Sequence, residues 1–122
     1  MERTKKVAII LQLTTRMANK GIWCAEANIQ KGIYSLQETL GVYMDFDFVV
    51  YKKQNISFEL QDELTAMRAD NLLVLKEQNS YPYALLPGIE ADLFLKKFFD
   101  KKYGTSIDYI VEELASNIPG KN

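Results

Sequence analysis

Ile29, Ile33, Leu36 and Leu40 recur at i, i+4, i+7 and i+11, and Gly41 follows at once. Residues so spaced lie on one side of an α-helix, and glycine readily adopts the left-handed conformation that ends one, so the stretch predicts a helix with one core-facing stripe. Gly32 falls inside it. A glycine there costs about 1 kcal/mol relative to alanine and marks close approach by a neighbour, so the first or third helix is expected to cross at this point.

The flanking sequence supplies those neighbours. Thr4 to Met17 combines good helix formers with Val7, Ile10, Leu11, Leu13 and Met17, a stripe wide enough for burial on more than one side, and Asn19-Lys20-Gly21 stops it. Phe46 to Tyr51 alternates around Phe46, Phe48 and Val50 and reads as a short strand ending on Lys52 and Lys53. Gln54 and Asn55 are then expected to turn the chain. Ser57 caps a third helix, Glu59 suits its positive end, and Leu60, Leu64 and Met67 form its inner stripe.

Leu72 to Glu77 and Tyr81 to Leu86 are strand-like runs joined by the turn residues Gln78-Asn79-Ser80, which predicts a hairpin closed by Pro87-Gly88. Ala91, Phe94, Leu95, Phe98 and Phe99 mark a fourth helix ending near Gly104. A fifth runs from about Ser106 to Ser116, with Ile107, Ile110, Val111 and Leu114 inward. Residues 1–117 are expected to form a single domain, and the tail 118–122 to fray. The predicted fold is α+β and mostly helical: a winged helix, with a three-helix core, a short strand and a β-hairpin wing, extended by two C-terminal helices.

Charge and composition narrow the function. The chain of 122 residues can bury roughly two-thirds of its unfolded surface, enough for a conventional core. Fifteen basic and sixteen acidic side chains give a formal net charge of -1, so there is no broad positive field for nucleic acid, and DNA binding would need a local patch. The single Cys24 excludes an internal disulfide, and without histidine there is neither a zinc ligand set nor a base to activate the thiol. Cys24 and Trp23 lie between the first two helices, where the cysteine suits a small buried apolar position. Asp45 with Asp47, and Glu112 with Glu113, lack a third partner for a metal or acid–base site. No cofactor is expected, and no phosphate-binding glycine loop is present. The run Val7 to Leu11 is too short to span a bilayer, and a reducing cytoplasm is the expected compartment.

Projecting the third helix at about 100° per residue places Phe58, Asp62, Thr65 and Ala69 on its outer face, with Glu59, Gln61 and Ala66 on the flanks. In the major groove, bases are read mainly by Arg, Lys, Asn and Gln; here only Gln61 qualifies, and two carboxylates would face a polyanion. An exposed phenylalanine beside small and acidic residues suits a protein partner or a symmetric dimer. The alternative is that the fourth or fifth helix covers this face. Lys52 and Lys53, with Gln54, Asn55 and Gln61 and the wing-tip residues Asn79, Ser80 and Tyr81, are the candidates for a DNA contact. Lys96, Lys97, Lys101 and Lys102 alternate with apolar residues and read as the solvated face of an amphipathic helix.

Two stretches carry a family resemblance. Ile29 to Gln37 (IQKGIYSLQ) resembles the second-helix core of YwgA-like bacterial proteins and, more distantly, of Panacea antitoxin-type domains. Phe46 to Leu73 is similar to their strand, turn and following helix, and Val111 to Ile118 is a fainter echo of their C-terminal region. Where the family has Gly-Pro-Tyr before the capping serine, this chain has Gln54, Asn55 and Ile56, so no role of that Gly-Pro carries over. The resemblance implies a winged helix in a small bacterial or mobile-element protein that acts in toxin neutralisation or transcriptional control. Together the readings point to a non-enzymatic regulatory module. Its expected partner is a protein, in an antitoxin-like role or within a larger complex, or a second copy through the apolar first helix; the alternative is a DNA-binding regulator.

Overall fold

The computed structural model describes residues 1–78 and 82–116, so Asn79, Ser80 and Tyr81 of the predicted wing tip, and the predicted tail 118–122, lie outside the described residues. The fold is α+β, with five α-helices and two small antiparallel sheets among the described residues. None of these helices is long and apolar enough to cross a membrane.

Helix α1 (Arg3–Asn19) runs through the middle, and every residue from Val7 to Thr14 is buried. Around it pack α2 (Glu26–Tyr34), α4 (Ala91–Phe98), α5 (Gly104–Ser116) and strand β4 (Ala84–Pro87). The wide apolar stripe of α1 is thus covered within one chain, which removes the basis for a dimer through the first helix. Each fully buried Leu or Ile contributes about 2 kcal/mol, so this helix alone supplies much of the drive to fold. A Cβ added at Gly32 would come within 2.9 Å of Leu13 Cδ2, so α1 makes the expected crossing; Leu114 of α5, rather than the third helix, stands 3.6 Å away.

Beyond Tyr34 the helix widens into a π-helical turn, Ser35–Thr39, closed by Leu40 N–H donating to Ser35 O at 3.0 Å. Leu36 stays in the core, but Leu40, predicted on the same stripe, is half-buried, because the wider turn shifts the phase of the helix.

The first hairpin corrects the sequence reading. Strand β1 (Val49–Tyr51) pairs antiparallel with β2 (Gln54–Ile56), and Lys52 and Lys53 form the two-residue turn at φ 51° and 65°. The turn predicted at Gln54 and Asn55 is therefore displaced by two residues: these two belong to β2. Left-handed φ at both central positions is the requirement of a type I′ turn, and two lysines do not announce it as Asn-Gly would. The strand predicted over Phe46 to Tyr51 shrinks to its last three residues, and Val50, expected inward, is 76% exposed.

Helix α3 (Phe58–Ala69) begins as expected, with Leu60 N–H donating to Ser57 Oγ at 3.1 Å, and it buries Leu60, Leu64 and Met67. Strand β3 (Leu73–Lys76) pairs antiparallel with β4. Behind β4, Leu85 N–H donates to Cys24 O at 2.8 Å and Ala84 bridges Ala25, so the segment before α2 acts as a rudimentary third strand. Helix α4 stops at Phe98 rather than near Gly104. Phe99 turns extended, Asp100 accepts from Lys102 N–H to start a 3₁₀ turn at Lys101–Tyr103, and α5 follows directly. Phe98 and Phe99, predicted inward, are exposed, because Ala91, Phe94 and Leu95 fill the contact of α4 with the core.

Candidate functional site

Two glutamines on the second helix and its π turn position the candidate surface. Gln30 is buried and binds both backbone groups of Ser57: its Nε2 donates to Ser57 O and its Oε1 accepts from Ser57 N–H, each at 3.0 Å. Gln37 treats Phe46 in the same way, at 2.8 Å to the carbonyl and 3.0 Å from the amide. A primary amide offers a donor and an acceptor side by side, so each glutamine substitutes for a neighbouring strand. One clamp sets the start of α3 and the other the approach to β1. The sequence reading passed over both; the signal was two amides seven residues apart, two helical turns, along the edge of an apolar stripe.

The outer face of α3 is open. Neither α4 nor α5 covers it, since both pack on α1, so the covered-face alternative is not what the fold adopts. Phe58 is 51% exposed and meets Tyr51 of β1 edge to face, ring centroids 6.0 Å apart. Asp62, Thr65 and Ala69 are exposed along the same face, and Gln61 is half-buried. Glu59 is also exposed, but its carboxylate accepts from Asp47 N–H at 2.9 Å, tying α3 to the loop before β1. On the opposite flank, Arg3 of α1 reaches Glu63 at 2.9 Å and Asp70 at 3.4 Å. Between the C-terminal half of α3 and β3 lies a shallow trough of about 690 Å³, lined by Thr65, Arg68, Ala69, Val74 and Ile89 among others.

The DNA candidates divide. Lys52 and Lys53 are exposed at the tip of the first hairpin, with Lys52 Nζ 5.3 Å from the Tyr51 ring centroid, and Gln54 and Asn55 follow on its return strand. Asn79, Ser80 and Tyr81 lie outside the described residues. Lys96, Lys97, Lys101 and Lys102 are exposed on and after α4.

Chemistry is sparse among the described residues. Cys24 is buried, its thiol pushed up to about 11 by desolvation. Its Sγ donates to Ile22 O at 3.5 Å and Thr14 O at 3.6 Å, so it is held as the unreactive thiol. Asp45 accepts from Tyr43 O–H at 2.8 Å, which raises the tyrosine's pKa. No group of three or more acidic, cysteine or histidine side chains that could hold a metal ion occurs among the described residues. No family model, no curated protein and no solved structure matches the chain.

Proposed function

We propose that the chain is a non-enzymatic interaction module of winged-helix type that binds a protein partner through the outer face of α3. The observation that carries this reading is an uncovered helix face with an exposed Phe58–Tyr51 pair bordered by Glu59 and Asp62. Exposed aromatics within a mostly uncharged patch are the usual anchors of protein interfaces, while carboxylates oppose a phosphate backbone. The winged-helix reading draws support from the chain order, from the Ile22–Ala25 segment lying beside β4, and from the β3–β4 hairpin standing next to α3. The resemblance to YwgA-like proteins and Panacea antitoxin-type domains rests on its two sequence stretches alone, and with it the antitoxin-like role.

The test is comparative capture from a bacterial extract. Proteins retained by the native chain should be lost from the combined Phe58→Ala and Asp62→Lys variant; an identical set on both removes this face from consideration.

A second reading, DNA-binding regulation, is favoured by one observation: Lys52 and Lys53 sit exposed at the tip of a hairpin next to α3. It predicts a complex with mixed-sequence duplex whose affinity falls steeply with salt, because bound phosphates release counterions. Light scattering without a complex at low salt rejects it.

A further inference from the structure

Helix α4 turns Ala91, Phe94 and Leu95 to the core, and at about 100° per residue its opposite side carries Leu93, Lys96 and Lys97. Leu93 is 65% exposed, with the two lysines one helical turn further on. The chain then leaves the helix at Phe99, 52% exposed, and Lys101 and Lys102 follow on the 3₁₀ turn. Residues 96–102 thus hold four lysines and one carboxylate, in a chain whose formal net charge is -1. That carboxylate, Asp100, is engaged by Lys102 N–H at 2.9 Å, and none of the four lysines forms a salt bridge among the described residues. Glu90 and Asp92 lie at the other end of α4, where they complement the helix dipole. Positive charge is therefore gathered at one end of this helix and left without a neutralising partner.

Apolar side chains flank the lysines. Leu93, Lys97 and Phe98 border one shallow depression and Lys96 and Phe99 another, so α4 stands between them as a ridge, and Leu93, Phe98 and Phe99 are exposed rather than part of the core. Charge and apolar surface together select the occupant. The backbone of a duplex offers phosphate but no cover for Leu93 and Phe99. Protein interfaces are depleted in lysine. The boundary of an anionic bilayer meets both needs: its headgroups attract the ammonium groups, while the acyl region just beneath takes leucine and phenylalanine and the lysine stems reach back to the headgroups. The Tyr51–Phe58 pair does not combine these features, because it is bordered by Glu59 and Asp62, which an anionic surface repels.

We propose that α4 and the turn after it, residues 93–102, dock the protein on an anionic membrane surface, lying along the bilayer rather than crossing it. The docking uses neither Phe58 nor Asp62 and does not depend on what the α3 face binds. Cosedimentation of the full chain with lipid vesicles reads it directly. The chain should pellet with vesicles of phosphatidylcholine and phosphatidylglycerol in equal parts and stay in solution with phosphatidylcholine alone. Each lysine held near an anionic surface strengthens binding roughly fivefold, so Lys96→Gln combined with Lys97→Gln should weaken it by about 25-fold. Leu93→Gln combined with Phe99→Gln, at exposed positions outside the core, should weaken it by about tenfold. Lys52→Gln combined with Lys53→Gln removes the same charge elsewhere and should leave binding unchanged. No binding to the mixed vesicles overturns the proposal, and so does equal binding to both kinds. A folded variant with Leu93→Gln and Phe99→Gln that binds like the native chain makes the patch a plain polyanion site and overturns it too, as does an equal loss from the two lysine pairs.

Discussion

β3–β4 and β1–β2 are both two-stranded antiparallel hairpins, yet the former buries Leu73, Ala84 and Leu85 in the core while no residue of β1 or β2 is fully buried. An isolated two-stranded hairpin is marginal in water, so each needs outside support. The β3–β4 hairpin has it from apolar burial against α1 and from the Cys24 carbonyl behind β4. The other is suspended between two side-chain amides, Gln37 on Phe46 before it and Gln30 on Ser57 after it. Burial is non-directional and tolerant of small shifts, whereas an amide clamp sets position and adds little drive. The suspended hairpin is the one beside Phe58 on the open face.

The comparison breaks most visibly at Leu73. Leu73→Ala should cost about 3 kcal/mol in urea unfolding, as deletion of a buried leucine side chain does, whereas Val50→Ala should change stability by less than about 0.5 kcal/mol. Equal effects would mean that both hairpins draw on the core alike.

Next in size is the strut behind β4. The Cys24 thiol ionises near 9.0 when unfolded and is pushed up to about 11 by burial. A raised folded-state pKa keeps its stabilising contribution below pH 9.0 and loses it as pH rises toward about 11. The stability gap between the native chain and Cys24→Ala should therefore narrow by about 2 kcal/mol over that window, at 1.36 kcal/mol per pKa unit. A constant gap would mean that the thiol is not desolvated.

The clamps should rank by burial. Gln30→Ala leaves the N–H of buried Ser57 unpaired, its carbonyl still accepting from Gln61 N–H at 3.2 Å, and should cost about 2 kcal/mol, while at half-buried Gln37 water can enter, leaving about 1 kcal/mol. Thermal unfolding of the two variants checks the order, and a larger cost at Gln37 would contradict it.

The smallest effect sharpens the comparison in the other direction. Replacing Lys52-Lys53 by Asn-Gly supplies residues at ease with left-handed φ and should stabilise the chain by about 0.5 to 1 kcal/mol. Slower amide exchange in β1 and β2 alone would show that the gain is local.

Much of this architecture was legible where the signal is local. Ser57 as cap, the stripe Leu60, Leu64 and Met67, the close approach at Gly32, and the β3–β4 pairing all follow from periodicity and residue chemistry within a few positions. The misses share a cause. The Lys52-Lys53 turn has backbone angles its residues do not advertise, and α4 ends at Phe98 because Asp100 starts a new turn. Gln30 and Gln37 act on residues 27 and 9 positions away. Of the candidate site, the outward projection of Phe58, Asp62, Thr65 and Ala69 could be read from helical geometry, but whether another helix covered it could not.

The sequence by itself determined the inward faces of α1 and α3, because side-chain hydrophobicity and a period of 3.6 residues act within the helix itself. Tertiary structure alone decided that α4 and α5 pack on α1 and leave α3 open, and that the edge of β4 is closed while that of β3 is free. Those outcomes depend on which of several apolar surfaces pack together and on backbone groups that carry no sequence signature.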